Sequence, residues 1–275
     1  MAIIRDHVPY HEAILRLPGI LNAPLCVFGV QDNLIPREYF DSAKARTLQA
    51  QITQVAGRWK DRARAALGLC HPDRAVPADY SLPTLGEIIR RRGCPQVDEL
   101  DLFDPRASLR FDMNQPVPAD QHERYASFID IGSIEHVFDT RQCLENCMRM
   151  VRPGGYYVVH TPCKGYFTHG LHTFNPELFT STLTANGFEV VYFQLMAHPG
   201  GAPVKHPRLA RHMILWLAAR KLRSMKNFVH PQQSSSATAY ITPADVSPAT
   251  TGTPNTSIAN SPSTLTTAPA MRQAA

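Results

Sequence analysis

Short, wholly apolar runs alternate along this chain with stretches whose apolar positions recur every three or four residues. The first run, 24–30, reads PLCVFGV and is followed by polar residues, the pattern of a short strand buried on both faces. A helix is expected from about Pro36, since proline is tolerated in a first helical turn. Phe40, Leu48, Ile52, Val55, Trp59 and Leu67 fall near one stripe of it, and Gly68 ends it. Residues 69–95 carry Pro72, Pro77, Pro83 and Pro95, and read as loop around a short helix at 84–92. Further strands are predicted at 96–100, with Asp101 at its carboxyl end, at 108–111, ending on Asp112, and at 125–131. Asp139 or Thr140 can cap a helix whose apolar positions include Cys143, Cys147, Met148 and Val151. Pro153, Gly154 and Gly155 predict a tight turn, with a fifth strand at 156–161. Asn175 and Pro176 open another helix through 186–187, and a sixth strand follows at 188–193. Residues 207–227 read as a basic amphipathic helix with Leu209, Met213, Trp216, Leu217 and Leu222 on one face.

Strands alternating with helices predict an α/β fold, with a mostly parallel central sheet and helices on both faces. In such a sheet ligands bind at the carboxyl ends of the strands. Weight therefore falls on Gly29 to Asp32, Asp101, Asp112, Gly132 to His136, and the residues from Thr161 onward.

The chain has 275 residues, 44% of them hydrophobic and 19% charged, enough apolar material for a core. Residues 231–275 stand apart: 31 of these 45 are Ser, Thr, Pro or Ala, which predicts a disordered tail behind a domain spanning 1–230. No apolar run is long enough to cross a bilayer, and the N-terminus lacks the order of a secretory signal, so a cytoplasmic location is expected. The net charge of +5 is local. Residues 1–200 hold 20 Lys and Arg against 22 Asp and Glu, whereas 201–230 hold seven basic residues and no acid. A nucleic-acid surface across the domain is therefore not expected. The basic segment instead suggests peripheral membrane or protein contact, or a helix docked on the sheet with its basic side in water. The six cysteines form no C-x-x-C pair, and Cys143 and Cys147, four apart on one helix face, are expected to pack as small apolar groups.

Three blocks carry a resemblance. The first is 128–139, FIDIGSIEHVFD, a strand, a small residue and an Ile-Glu-His run. The second is 150–156, MVRPGGY, similar to a helix–turn–strand L-K-P-G-G segment. The third is 169–179, HGLHTFNPELF, followed by NGFEV at 186–190, which resembles the ending of some bacterial methyltransferases. Together they resemble the class I methyltransferases that use S-adenosylmethionine (SAM), over about residues 24–194. The chain departs from that family at the first strand, where FGVQDN at 28–33 keeps one glycine of a glycine-rich turn.

The resemblance implies SAM as cofactor and a Rossmann-like methyltransferase fold. It implies cofactor contacts at Gly29, Asp32, Gly132, Ser133 and Glu135, with Asp32 facing the ammonium of SAM. A carboxylate at a strand end can accept both hydroxyls of a ribose, the role expected of Asp101, and Asp112 is placed to accept from an adenine amino group. The alternative for both is an aspartate that starts a turn by bonding nearby backbone N–H groups. His136 is the candidate general base, against a packing or cofactor-contact role. His169 and His172 are expected to line the acceptor site, a small molecule or glycan, and no metal site is expected from them. The competing readings are a catalytically inactive methyltransferase-like binding module and another nucleotide-handling enzyme on the same scaffold.

Overall fold

The computed structural model describes residues 4–32 and 83–232. The helix expected from Pro36 to Leu67, and all but the first two residues of the expected tail, lie outside the described residues.

Six strands form one sheet: β1 Leu25–Phe28, β2 Val97–Leu100, β3 Tyr125–Ile131, β4 Val151–Lys164, β5 Phe188–Ala197 and β6 Met213–Lys221, in the order β2-β1-β3-β4-β6-β5. β2, β1, β3 and β4 run parallel, and β6 is antiparallel to both β4 and β5. Successive residues point to opposite faces, so each strand feeds two cores. Cys26, Phe28, Phe128, Tyr157, Val159, Leu215 and Leu217 face one side, and Leu25, Val27, Ile129, Ile131, Val158, Trp216 and Ala218 the other. The first side is covered by α3 (Thr140–Met150) and α4 (Pro176–Ala185), through Cys143, Leu144, Cys147, Met148, Phe179 and Leu183. The second is covered by α1 (Val8–Ile14) and α2 (Leu85–Arg91), through Val8, Tyr10, Ile14, Leu85 and Ile89. Helices thus lie on both faces of a mainly parallel sheet, and an antiparallel strand sits beside the last, as is typical of the class I methyltransferase Rossmann-like fold.

Local chemistry explains the helix ends. The Thr84 side chain accepts from Glu87 N–H while Glu87 accepts from Thr84 N–H, a capping box that starts α2. Asp139 caps α3 by accepting from Gln142 N–H, and Asn175 caps α4 ahead of Pro176.

Three expectations are corrected. Residues 108–111 are not a strand; they make a single parallel bridge, Leu100 to Leu109. Seven residues, 101–107, connect β2 to that point, too few for the crossover that a full parallel strand needs. The basic helix at 207–227 is replaced by β6. The run MILWLAA at 213–219 is buried on both faces between β4 and β5, so Met213, Trp216 and Leu217 form no free apolar face. The amphipathic argument for membrane or partner contact falls with the helix. The expected turn at 153–155 is instead a shift of register inside the β3–β4 ladder, between the pairs Tyr125–Val151 and Ser127–Tyr156. No helix among the described residues is long and apolar enough to cross a membrane.

Candidate functional site

The carboxyl ends of β1 to β4 meet along one edge of the sheet, and Gly29, Asp101, Gly132 and Ser133 lie there. Gly29 follows β1 with φ +81°, and its N–H donates to Leu100 O of β2 at 2.7 Å. A side chain at Gly29 would collide: its Cβ would stand 2.5 Å from Gln31 Nε2 and 2.7 Å from Ser133 Oγ. The reason is Gln31, which folds back over the turn. Its Nε2 donates to Phe28 O at 3.1 Å and to Ser133 Oγ at 3.2 Å, and Ser133 Oγ donates to Phe28 O at 2.8 Å. Gln31 is buried, and its Oε1 has no hydrogen-bond partner among the described residues. Gln31 was not singled out in the sequence, since nothing in a lone glutamine after a strand announces burial.

Asp32 pairs with Arg106 at 2.9 Å, and Arg106 also holds Asp104 at 2.7 Å, tying the β1 turn to the β2 loop. The two carboxylates raise the guanidinium pKa, and Asp104 is held below the ordinary carboxylate range, chiefly by Arg106. Asp101 accepts from Phe103 N–H (2.9 Å) and Asp104 N–H (3.0 Å) on Oδ1, and from Val30 N–H at 3.4 Å on Oδ2. It therefore starts a turn and also braces the β1 loop. Asp112 accepts from the backbone and side-chain N–H groups of Asn114 at 3.0 and 2.7 Å, which lower its pKa. At both aspartates the turn-forming alternative is realised. The Asp101 carboxylate stays half-exposed beside Val30 and the Gly29 turn, and Asp112 stands further along the loop.

Gly132 leaves β3 at φ +70° and donates to His160 O at 2.7 Å. The next turn is built by Asp130, whose Oδ1 accepts from Ser133 and Ile134 N–H at 3.0 and 3.3 Å. Burial and the nearby Glu135 push the Asp130 carboxyl well above its usual range. Glu135 is fully buried, and its Oε2 accepts from the Thr161 hydroxyl at 3.0 Å. His169 Nε2 lies 3.7 Å from Glu135 Oε1, and the His169 ring stands edge-on to His136 at 5.3 Å between centroids. Partial burial lowers the His136 pKa. One ligating atom from each of Glu135, His136 and His169 falls within a 4.8 Å group. The sequence paired His169 with His172; the fold pairs it with Glu135.

His172 turns elsewhere, with Nε2 3.1 Å from Phe138 O. It lines a mostly apolar cleft of about 470 Å³ between α3 and α4, walled by Phe138, Leu144, Phe174, Leu178 and Phe228.

No family model matches this chain, and no curated protein matches it. Solved structures do. A SAM-dependent methyltransferase from Mesorhizobium loti is 13% identical, with 78% of this chain and 98% of that one covered and a TM-score of 0.44. The 1,6-didemethyltoxoflavin-N1-methyltransferase of Burkholderia thailandensis, solved with S-adenosylhomocysteine, is 14% identical over 80% of this chain and 79% of its own, at 0.39. The [4+2]-cyclase SpnF is 16% identical over 79% and 81%, also at 0.39. At these TM-scores nothing passes from their sites to this chain, and the fold assignment stands on the strand order and register described above.

Proposed function

We propose that this chain is a SAM-dependent methyltransferase acting on a small-molecule or glycan acceptor. One observation supports this reading above others: Gly29, Asp101, Gly132 and Ser133 lie at the carboxyl ends of three adjacent parallel strands, where a Rossmann-like sheet binds its nucleotide. The residues present fit the cofactor in part. Asp101 offers a half-exposed carboxylate to a ribose, and Ser133 and the backbone after Gly29 border the place for the methionyl end. That place is filled by Gln31, held by two hydrogen bonds from one side-chain nitrogen. Cofactor binding therefore requires the Gln31 side chain to swing out, a rotamer change rather than a refolding. Bound SAM would supply an activated methyl group. The protein would hold the acceptor in line with it and keep water away, which demands alignment more than reactive side chains. The cleft beside His172 has the volume and apolar lining of a small-molecule site.

Gln31 also favours a second reading, a methyltransferase-like module that binds without catalysing. Calorimetric titration of the intact chain with SAM and S-adenosylhomocysteine separates the two. Micromolar binding that Asp101→Asn weakens ten-fold or more supports the enzyme; the asparagine keeps the turn and removes the charge. A folded protein that binds neither ligand rules the enzyme out.

A further inference from the structure

We propose that Glu135, His136 and His169 form a binding site for one divalent first-row transition ion. Two buried atoms face each other without hydrogen-bond partners among the described residues: Glu135 Oε1 and His169 Nε2. At 3.7 Å they are too far apart to bond one another. A fully buried carboxylate with one oxygen left without a donor is a place where a cation is stabilised. His136 adds the third ligand from the solvent side, so the group has a buried anchor and an open face.

The fold brings these groups together with some care. Glu135 and His136 sit on the single 3-10 turn Ile134–His136 after β3, and His169 on the loop after β4. That loop is fastened to the turn by Leu171 and His172 N–H groups, both donating to Glu135 O at 2.8 and 3.1 Å. Gly170, at φ +72°, passes so close that a Cβ would stand 2.9 Å from Glu135 O. Thr161 orients the carboxylate from behind, the kind of outer contact that fixes a ligand's direction. Around an ion with bonds of about 2.0–2.2 Å, ligand atoms lie roughly 3.3–3.6 Å apart. Closing from the present spacing takes side-chain shifts of about 1 Å on that geometry.

Two imidazoles and one carboxylate suit Zn²⁺, Mn²⁺, Fe²⁺ or Co²⁺. Mg²⁺ and Ca²⁺ favour all-oxygen sites. An ion there would stand at the ends of β3 and β4 and could take an acceptor oxygen as a further ligand; that extension rests on the transferase reading, whereas the site itself does not.

The test uses the intact chain, stripped with a chelator and titrated with Co²⁺ in the absence of SAM. Visible absorption should show ligand-field bands that saturate at one equivalent, with displacement by Zn²⁺ and none by Mg²⁺ at the same concentration. His136→Ala and His169→Ala should each weaken Co²⁺ binding at least ten-fold, with His206→Ala as an unaffected control. His136 is exposed, so its variant carries the test even where changes at Glu135 or His169 impair folding. Absence of saturable bands, or binding unchanged in His136→Ala, overturns the site. Co²⁺ binding by a chain that binds no SAM would leave the metal site standing and remove only the transferase reading.

Discussion

The residue that most alters the expected chemistry is Gln31. Its amide does the work of a plug: it fills the space that a bare glycine turn would leave beside Ser133, with Oε1 left unsatisfied at a cost of about 1–3 kcal/mol. Removing the plug should therefore open the turn. Gln31→Ala is expected to tighten SAM binding about ten-fold, worth about 1.4 kcal/mol, in calorimetry against the unaltered chain. Weaker binding would show that the amide is a ligand rather than an obstruction. Gly29→Ala should do the reverse to stability. It combines a positive φ with contacts inside 3 Å, so a loss of about 1–3 kcal/mol in a urea titration is expected. At this scale the sequence was a fair guide to position. Gly29, Asp101 and Gly132 all fall at the strand ends where the pattern of runs put them. It was silent on what fills the space between them. Gln31 and the Arg106 clamp depend on contacts across 102 and 74 residues of chain, which no local pattern encodes.

At the scale of elements, the strands before residue 200 were legible, apart from 108–111 with its single bridge, because their apolar runs are bounded by turn residues or a helix cap. β6 was not, and the reason is physical. A run of seven apolar residues buried on both faces has no alternation to mark it as a strand, and its basic flanks imitate the polar side of a helix. The charges have another use. Lys221 closes β6 with its ammonium donating to Met148 O and Val151 O at 3.1 and 2.6 Å, next to Glu123 at 3.1 Å. It satisfies carbonyls at the end of α3 and the start of β4, so it anchors β6 to the helix packed against it. The strand assignment makes a sharp prediction for Trp216. Its ring is fully buried, stacked on Tyr10 at 5.5 Å and opposite His160 in register. Trp216→Ala should cost about 3–5 kcal/mol, as for large-to-small changes in cores, and a thermal melt would read it. On a surface helix the same change would be nearly neutral.

Across the whole molecule, the fold gathers histidines that lie far apart in the chain. His7, His11 and His160 surround Trp216 at ring-centroid distances of 5.6, 4.8 and 4.2 Å, and His198 stands 6.5 Å from His7. Both nitrogens of His7 and of His160 are buried without hydrogen-bond partners among the described residues. Burial is the main cause lowering the pKa of all four, in His11 to about 4. The nearby charges are Asp6 beside His198, and Glu12 and Arg92 beside His11; none reverses the shift. A base with a depressed folded pKa favours folding most above its unfolded value, about 6.5. As pH falls below that value the unfolded chain takes up protons that the folded chain refuses. For His11 the loss approaches about 2 kcal/mol by pH 5, at 1.36 kcal/mol per pH unit. The other three act in the same direction. Asp130 opposes them, since its raised pKa lets the folded state gain a proton as pH falls, but it is one group against four. With a net stability of about 5–15 kcal/mol for a typical domain, the sum is large enough to matter. The urea midpoint should therefore drop steeply between pH 7 and pH 5, and His7→Leu should flatten that slope by removing one of the refused protons. A midpoint that stays level over this range would mean that the cluster accepts protons in the folded state.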